Sequence, residues 1–409
     1  MTAALPFDSI NGEKLSLEQA SYLDGIFAGL RNRGVSFSDV APNPVATPAG
    51  ASDLIAEERI KRELHPLDAY DVLAEHAAAN KAPDKESLFR FKWHGLFYLT
   101  PNKEAFMARL RIPGGQLKTF QAREIARITQ ELTTGYLQVT TRANFQMRLI
   151  QPKDAPEVLR RIQSVGLHTR GSGADNLRNI TTNAAAGFDP HELIDPMPLC
   201  HQLAQVILNS REFYDLPRKF NIAIDSGGLS TSLEDTNDIG AKAVRVGEEV
   251  FFRLAIGGAT GHKSFANDLG VIVPPADLVK VLAAMLRVYI ANGDRTNRKR
   301  ARLKHLLESW TLEKFLEETE QKLGTKLQRS PAPEAAPNPP APHPHVGVFA
   351  QKQPGLNFVG VSVPVGQITP KQLLRLCDLA DHYGSGELRL TVWQNIVIPN
   401  VPDSFVETL

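Results

Sequence analysis

Cysteine is scarce in this sequence, and long hydrophobic runs are absent. The two cysteines, Cys200 and Cys377, are far apart with no CxxC pair, so they supply neither a disulfide framework nor a zinc or iron-sulfur ligand set. We expect both to be buried thiols. No apolar run approaches the roughly 20 residues that cross a bilayer, and residues 1–6 do not resemble a signal peptide. These absences predict a cytoplasmic protein without membrane contact.

Neither sign of charge dominates, because the formal net charge is +1 over 409 residues. This balance argues against a nucleic-acid binder and against an acidic tail. The length predicts two or three domains, and the composition is that of a soluble globular protein. No HExxH, Walker loop, GxSxG elbow or strand-linked GxGxxG is present. Any electrostatic function must therefore arise from local clusters of charge.

The first part of the chain has the pattern of a helical extension. Ser16 and Gln19 form a capping box ahead of an apolar stripe from Tyr22 to Leu30, which predicts a helix. A second helix is predicted near Leu67 to Ala79. We expect an N-terminal helical extension over residues 1–84.

A proline-rich segment forms the clearest boundary. Seven prolines lie from Pro331 to Pro344, a composition that favours extended polyproline II and cannot pack a core. We therefore expect a linker over residues 329–345.

An internal repeat is the most informative feature of the sequence. The block from Ile112 to Met147 aligns without a gap with the block from Val363 to Ile398, 251 residues further on. Turn glycines and apolar positions recur at this offset, with Pro113, Gly115, Gln116, Gly135, Leu137 and Val139 matching Pro364, Gly366, Gln367, Gly386, Leu388 and Leu390. Each block has the pattern of a strand, a glycine turn, a helix, a glycine stop and a strand. The repeat predicts two pseudo-twofold halves.

The second copy ends before its pattern is complete. The first copy continues into a predicted helix with Val158, Leu159, Ile162 and Val165, but the second reaches Leu409 after about one turn of the matching helix. Chains seldom end inside such an amphipathic helix. We therefore expect this sequence to be a fragment of a longer one.

Cationic side chains gather beside turn residues. They are Arg109 and Arg111 ahead of Pro113-Gly114-Gly115, Arg142 and Arg148 around the predicted strand from Phe145 to Met147, Arg178 within DNLRNITT, and Arg218 and Lys219 after Pro217. One interpretation is a set of solvated faces with surface salt bridges. The other is a polyanion site, because arginines beside Gly, Pro and Asn turns, where backbone donors are free, commonly hold anionic ligands. Arg109 and Arg111 should share one strand face.

A further cluster lies between Gly293 and Lys304, where six cations occur from Arg295 onward. By charge alone this segment is either a solvated helix start or a nucleic-acid patch. No aromatic residue is interleaved, so it lacks a stacking platform for single strands. A cofactor with several carboxylates accounts better for several separate clusters.

Six sequence blocks carry a resemblance to a known family. In chain order they are FRFKWHGLFYLTPNKEAFMARLRIPGG, TTRANFQMR, GADNLRNITT, LPRKFNIAIDSGG, GGATGHKS and GDRTNRKRARLKHLLE. From about Leu88 onward the sequence resembles the siroheme nitrite and sulfite reductases, and most the ferredoxin-dependent assimilatory nitrite reductases. The resemblance implies an α+β, pseudo-twofold nitrite/sulfite reductase fold. It places a first ferredoxin-like half-domain at 85–165, a siroheme-binding α/β domain at 166–328 and a truncated second half-domain at 346–409.

The reaction of that family is the six-electron reduction of nitrite to ammonia, or of sulfite to sulfide, on siroheme coupled to a [4Fe-4S] cluster. The resemblance therefore implies an oxidoreductase of nitrogen assimilation, a monomer that takes electrons from ferredoxin or a similar donor. It places the cluster cysteines beyond Leu409, so this chain would lack them and be inactive alone. Sulfite reduction stays open as an alternative, and so does a non-catalytic siroheme-binding module.

The resemblance also assigns roles to single residues. Arg109, Arg178 and Lys219 would line the face of the heme that receives the anion, where fixed positive charge binds and polarises it. Siroheme is rich in carboxylates, and the residues that match its family contacts are Thr140, Thr141, Arg142, Gln146 and Arg148, followed by Arg218, Arg295, Asn297, Arg298 and Lys304. The protein would supply orientation and electrostatics, and the cofactor would supply the redox chemistry.

Substrate preference rests on one position. In the sulfite reductases of this family a second lysine follows the LPRK lysine by two residues, and Asn221 occupies that place here. Sulfite is the more highly charged anion near neutral pH, so the loss of one cation favours nitrite. We therefore expect Asn221 to contribute to a site that prefers nitrite.

Overall fold

A computed structural model describes residues 9–10, 13–14, 54–98, 104–331 and 345–408. The chain separates into two compact units, residues 1–49 and 50–409. In the first unit the described residues form a short antiparallel pair, β1 (Ser9–Ile10) and β2 (Glu13–Lys14). The helix predicted from Tyr22 to Leu30 and most of the predicted linker lie outside the described residues.

Groups of helices and groups of strands follow one another along the second unit. Its helices are α1 (Ala56–Glu63), α2 (Tyr70–Ala78), α3 (Lys85–Phe91), α4 (Thr119–Leu132), α5 (Ala155–Ser164), α6 (Met197–Asn209), α7 (Leu278–Asn292), α8 (Leu303–Ser309), α9 (Leu312–Leu323) and α10 (Pro370–Tyr383). The predicted helix near Leu67 is present as a 3₁₀ turn followed by α2. Within the described ranges, no helix is both long and apolar enough to cross a membrane.

The strands of the second unit form three five-stranded sheets. The strands are β3 (Leu96–Tyr98), β4 (Phe106–Arg109), β5 (Gln116–Lys118), β6 (Leu137–Val139), β7 (Phe145–Ile150), β8 (Ile222–Asp225), β9 (Ile239–Val246), β10 (Glu249–Ile256), β11 (Asn267–Val273), β12 (Gln328–Arg329), β13 (Gly347–Ala350), β14 (Leu356–Val361), β15 (Gln367–Ile368), β16 (Glu387–Leu390) and β17 (Ile396–Pro402). The first sheet has the order β15-β6-β7-β4-β3, the second β13-β14-β17-β16-β5 and the third β12-β11-β10-β9-β8.

The two copies of the repeat have the same backbone, as the sequence predicts. Each contains a short 3₁₀ turn, a short strand, a helix of 14 residues and a hairpin. Residues with left-handed φ recur at the 251-residue offset, namely Gly114, Gly115, Gly135, Ala143 and Leu149 in the first copy and Val365, Gly366, Gly386, Gln394 and Asn400 in the second. The conserved offset of these turns shows that the pseudo-twofold relation extends to backbone geometry.

The two copies exchange strands. β5 of the first copy pairs with β16 of the second, and β15 of the second pairs with β6 of the first. Helices α4 and α10 pack side by side, and Thr119 of α4 donates to the Asp381 carboxylate of α10 at 2.6 Å. The apolar side chains of both copies form one continuous core. Each half therefore depends on the other to complete its sheet.

The third sheet and its helices form a separate core built mainly from α6, α7, α9 and strands β8 to β11. The segment 172–182 runs beside 216–224, with parallel bridges from Leu177 to Phe220 and from Thr181 to Ala223. The Asn179 side chain ties this layer to the first copy, because it accepts from the Ile112 N–H at 2.9 Å and donates to the Ile112 carbonyl at 2.6 Å. The junction between the first copy and the third sheet is where the predicted site residues lie.

Candidate anion and cofactor site

Three polar side chains of the first copy lie on one face of its sheet. Arg109 ends β4 and pairs in register with Gln146 of β7, and Arg148 follows on the same face because alternate strand residues share a side. The Arg109 guanidinium lies 4.9 Å from the Phe97 ring centre and donates to the Ser172 carbonyl at 3.5 Å. Burial, and then the charge of Arg148, lowers the pKa of Arg109. The two arginines are therefore close enough to repel each other.

Arg178 joins this group from the segment 172–178. Its guanidinium donates to the carbonyls of Ser172 at 2.7 Å and Ala174 at 3.0 Å, so Arg109 and Arg178 meet at the Ser172 carbonyl. Burial, and then the charge of Arg109, lowers the pKa of Arg178 well below its usual value. The local backbone thus holds Arg178 without neutralising it.

Lys219 extends the group from the neighbouring segment. Phe220 donates its N–H to the Asn176 carbonyl at 3.1 Å and accepts from the Arg178 N–H at 2.8 Å, which places Lys219 beside Arg178. Burial and the charges of Arg302 and Arg178 lower the pKa of Lys219. Arg148, Arg109, Arg178 and Lys219 therefore form a row in which each charge influences the next, and we call this set the cation row.

Among the described residues, no carboxylate lies within 4.0 Å of a cation of the row. In the part of the chain that the structure describes, the lysines and arginines that are at least partly buried and have no carboxylate within 4.0 Å are Lys92, Arg109, Arg111, Arg142, Arg148, Arg178, Lys219 and Lys304. Unpaired buried charge is costly, so such a concentration indicates a place for an anionic ligand. Two of the eight, Arg111 and Arg142, donate to protein acceptors through all three guanidinium nitrogens.

Arg111 lies on the same side as Arg109, and all of its guanidinium nitrogens donate to backbone carbonyls. Its Nη2 donates to the carbonyls of Gly171 at 2.9 Å and Leu177 at 2.6 Å, and it is 2% exposed. The prediction that Arg109 and Arg111 share a face is confirmed, since both contact the segment 170–178. Arg111 therefore fixes the loop that presents Arg178.

Arg142 lies in the turn between β6 and β7, and its donors are occupied by protein acceptors. It donates to the Asn179 carbonyl at 2.9 Å, to the Ile222 carbonyl at 3.0 Å and to Asn237 Oδ1 at 2.5 Å. Burial lowers its pKa to about 10. Arg142 thus fastens the turn to the third sheet.

The other predicted residues of this turn have different surroundings. The Thr140 hydroxyl donates to Asn144 Oδ1 at 2.5 Å and accepts from the Arg142 N–H at 3.2 Å, which closes the turn. Thr141 is exposed at its tip, and Gln146 is half-buried beside Arg109. Thr141 and Gln146 therefore have side chains available at the site, whereas Thr140 shapes the backbone.

The basic segment from Gly293 to Lys304 is not helical before Leu303, and three of its four arginines pair with carboxylates outside helix α8. The pairs are Arg295 with Glu58 at 2.9 Å, Arg298 with Asp175 at 2.7 Å and Arg302 with Asp238 at 2.8 Å. The structure therefore does not bring the Arg295 and Arg298 guanidinium groups into the cation row.

Three further predicted residues lie near these pairs or beside the row. Arg218 is 3.5 Å from the Asp175 carboxylate, and Asn297 is exposed with its side-chain oxygen accepting from the Lys299 N–H at 3.1 Å. Asn221 is half-buried two residues after Lys219, and its N–H donates to Asp238 at 2.8 Å. Arg218 and Asn221 therefore lie on either side of Lys219 in sequence, whereas Asn297 lies in the basic segment.

Sequence reasoning missed Lys92 as a site residue. Lys92 is half-buried, its ammonium lies 5.5 Å from the Phe89 ring centre, and burial followed by the charge of Arg298 lowers its pKa. A lysine inside the apolar block FRFKWHG was the available signal, because a buried lysine without a carboxylate requires a reason.

The two cysteines are buried thiols, as predicted. Cys200 belongs to the core of the third sheet and Cys377 to the core of the repeat. Burial raises the pKa of both thiols, that of Cys377 to about 12. Within the described ranges no group of three or more His, Cys, Asp or Glu side chains is arranged to hold a metal ion.

Comparison with known families agrees with this architecture. The family description "Nitrite and sulphite reductase 4Fe-4S domain" matches residues 173–327, and "Nitrite/Sulfite reductase ferredoxin-like half domain" matches residues 98–165 and 349–409. The chain therefore belongs to the nitrite and sulfite reductase family. The predicted α+β fold with two ferredoxin-like half-domains is confirmed.

Individual relatives refine this placement. A ferredoxin–nitrite reductase of Synechococcus elongatus is 36% identical over 364 residues, which cover 86% of this chain and 70% of that protein. A chloroplastic ferredoxin–nitrite reductase of Arabidopsis thaliana is 35% identical over 371 residues, or 86% of this chain and 63% of that protein. The structure of the Mycobacterium tuberculosis NirA protein is 30% identical, with a TM-score of 0.79 over 87% of this chain and 68% of that one. This chain thus spans roughly two thirds of the length of these relatives.

Proposed function

We propose that this chain binds siroheme and takes part in the six-electron reduction of nitrite to ammonia, with ferredoxin as the electron donor. The observation that carries the proposal is the cation row, four cations without carboxylate partners in the described residues, at the junction of the first half-domain and the third sheet. The printed names of the relatives, ferredoxin–nitrite reductases, support the choice of substrate and donor.

The donor set suits a cofactor rich in carboxylates. Arginine binds carboxylates through paired N–H donors, and Arg148, Gln146 and Thr141 are half-buried or exposed polar residues of β7 and the turn before it. We assign these residues to siroheme carboxylates, with Lys304 and Arg218 as further cations. Arg142 and Thr140 would hold the turn that presents them, because their own polar atoms are bound to protein groups.

Siroheme, when bound, would supply the iron on which the anion is reduced. The described residues do not supply cysteines for a [4Fe-4S] cluster, since both thiols are buried in separate cores. What this chain contributes is binding, orientation and proton supply.

Lys219 is the residue best suited to deliver protons. Nitrite reduction consumes protons, and an ammonium group whose pKa is lowered releases its proton more readily. Burial and the charges of Arg302 and Arg178 lower the pKa of Lys219 in this way. Arg109 and Arg178 would hold the anion beside it and stabilise negative charge that develops on its oxygens.

A siroheme titration tests the proposal. Siroheme added to the purified chain should bind saturably, and absorbance measures the affinity. Arg148→Met should weaken binding by about tenfold or more, because a charge-assisted hydrogen bond is lost. Lys299→Met is the matched control, since Lys299 is an exposed cation outside the row. Absence of saturation, or equal losses in the two variants, would contradict the proposal.

The choice of nitrite over sulfite rests on Asn221. Asn221→Lys should shift the preference of the siroheme-loaded chain toward sulfite, because it adds a cation two residues from Lys219. The measurement is the ratio of the two anion dissociation constants, read from absorbance. An unchanged ratio would remove the argument from charge and leave sulfite as an equal candidate.

A further inference from the structure

Two buried carboxylates lie near the cation row. Asp175 and Asp238 have fully buried side chains. Arg298 binds Asp175 through two N–H donors at 2.7 and 2.8 Å, and Arg302 binds Asp238 through two nitrogens at distances of 2.8 to 3.1 Å. Both arginines come from the basic segment between Gly293 and Lys304.

Each carboxylate also lies within electrostatic reach of the cation row. Asp175 precedes Arg178 by three residues, and its negative charge partly offsets the lowering of the Arg178 pKa. Asp238 accepts the Asn221 N–H and acts on Lys219 in the same direction. If Arg298 or Arg302 were removed, the carboxylate that it binds would therefore still have a cation of the row nearby.

A buried carboxylate without a counter-ion would compete with an anionic ligand for the cations of the row. A buried carboxylate that loses its counter-ion leaves an uncompensated charge, which strongly destabilises the folded protein. Lys219 has a flexible stem and no carboxylate partner in the described residues, so it can swing toward Asp238. Arg142 is also near Asp238, but its donors are already bound to carbonyls and to Asn237. Lys219 is thus the cation that an orphaned Asp238 would attract.

We infer that Arg298 and Arg302 are positioning residues, which neutralise Asp175 and Asp238 so that Arg178 and Lys219 remain unpaired and available to an anionic ligand. The inference rests on the proposed function, since it explains how the anion site stays open. It gives the basic segment a role different from direct contact with a cofactor. The Arg302 pair has a second effect, because the Asp238 carboxylate also fixes the backbone of Asn221.

The Lys219 ammonium reports directly on this competition. Its pKa can be measured by carbon-13 NMR of lysine-labelled full chain without siroheme, with Lys219→Arg to assign the signal. The charged groups that act on it are Arg178, Arg218, Arg302 and Asp238. Removal of Arg302 alone takes away a like charge, so a comparison of two backgrounds is needed to isolate pairing with Asp238.

A double-mutant cycle provides that comparison. Asp238→Asn should lower the Lys219 pKa in the native background, and it should lower it by about one pH unit more in an Arg302→Met background, where the two groups have paired. Equal decreases in both backgrounds would overturn the inference. Arg300→Met is the matched control, because Arg300 is an exposed arginine of the same segment bound to Glu308, and it should leave the Lys219 pKa unchanged.

The Asp175–Arg298 pair gives a second test, because Asp175 keeps a nearby cation when Arg298 is replaced. Arg218 remains 3.5 Å from Asp175 when Arg298 is removed, so Arg298→Met retains a counter-ion for folding. Nitrite affinity of the siroheme-loaded chain, read from absorbance, should fall about tenfold in Arg298→Met but less than about twofold when Arg178→Met is already present. Equal losses in both backgrounds would show that Arg298 does not act through Arg178.

The two lines of experiment separate the inference from the proposed function. The Lys219 titration is made without siroheme, and the siroheme titration does not depend on Arg302. Saturable siroheme binding with an additive Lys219 cycle would retain the proposed function and reject the positioning role. A non-additive Lys219 cycle without siroheme binding would retain the positioning role and reject the proposed function.

Discussion

The two copies of the repeat share a backbone but differ at the polar positions around the candidate site. Arg109, Arg142, Gln146 and Arg148 of the first copy correspond to Gly360, Trp393, Val397 and Pro399 of the second. The bulge between Phe106 and Ala108 nevertheless recurs between Asn357 and Val359, and the same turn follows. Apolar spacing and turn residues thus specify the fold, and cations added to one copy specify the site.

The turn between the two hairpin strands has the same backbone in both copies but carries a different side chain. In the first copy the Thr140 hydroxyl donates to Asn144, and in the second the Thr391 hydroxyl accepts from the Asn395 N–H. In the first copy, Arg142 of this turn binds the carbonyls of Asn179 and Ile222. The equivalent residue of the second copy, Trp393, is 44% exposed and stacks on His345. The same turn therefore either docks a neighbouring layer or presents an aromatic surface, according to one side chain.

The largest expected effect comes from the cations that face the first copy. In a siroheme-loaded enzyme completed with a cluster-binding segment, Lys219→Ala or Arg178→Ala should reduce nitrite turnover by about 10²-fold or more, because both contribute fixed charge at the reacting anion. Siroheme absorbance should stay largely intact. Lys371→Ala, at an exposed cation of the second copy, is the control. Near-native turnover in the first two variants would refute their assigned roles and the asymmetry between the copies.

A smaller effect is expected in stability at the equivalent turn positions. Arg142→Met should lower the free energy of unfolding by about 3 kcal/mol, because several buried acceptors lose their donor. Trp393→Met should cost less than about 1 kcal/mol, since that side chain is partly exposed. Urea denaturation measures both. Equal losses would show that the two side chains contribute equally to stability and would contradict this prediction.

The smallest effect concerns the residue with positive φ in each 3₁₀ turn. Gly114 has φ 62°, and an added Cβ would lie 2.3 Å from the buried Met197 sulfur, so Gly114→Ala should destabilise by about 1 to 2 kcal/mol. Val365 has φ 50° and is 83% exposed, so Val365→Gly should leave the melting temperature unchanged or raise it slightly, as strain is relieved. Changes of the same sign in both variants would contradict this prediction.

Sequence reasoning predicted much of the fold because the relevant signals are local. The helices α4 and α10, their glycine stops and the hairpins that follow are all visible as periodicity and punctuation repeated at one offset. The exchange of β5 and β15 between the halves was not predicted. Strands of two or three residues carry too little pattern to identify a partner more than 200 residues away.

The candidate site could be predicted in part. Arg109, Arg178 and Lys219 were identified from motifs, and the structure brings them together. The different surroundings of Arg295 and Arg298 could not be foreseen, because their partners Glu58 and Asp175 are more than 120 residues away in sequence. A count of cations does not reveal which of them a buried carboxylate will neutralise.

The sequence by itself determined the repeat, the helix boundaries near glycines and the residue types at the site, since these depend on neighbours within a few positions. Tertiary structure alone decided which cations are neutralised and which stay unpaired, because charge pairing depends on distances between segments that only folding brings together. Arg302 and Lys219 illustrate the result, with the former bound to buried Asp238 and the latter left without a carboxylate partner in the described chain.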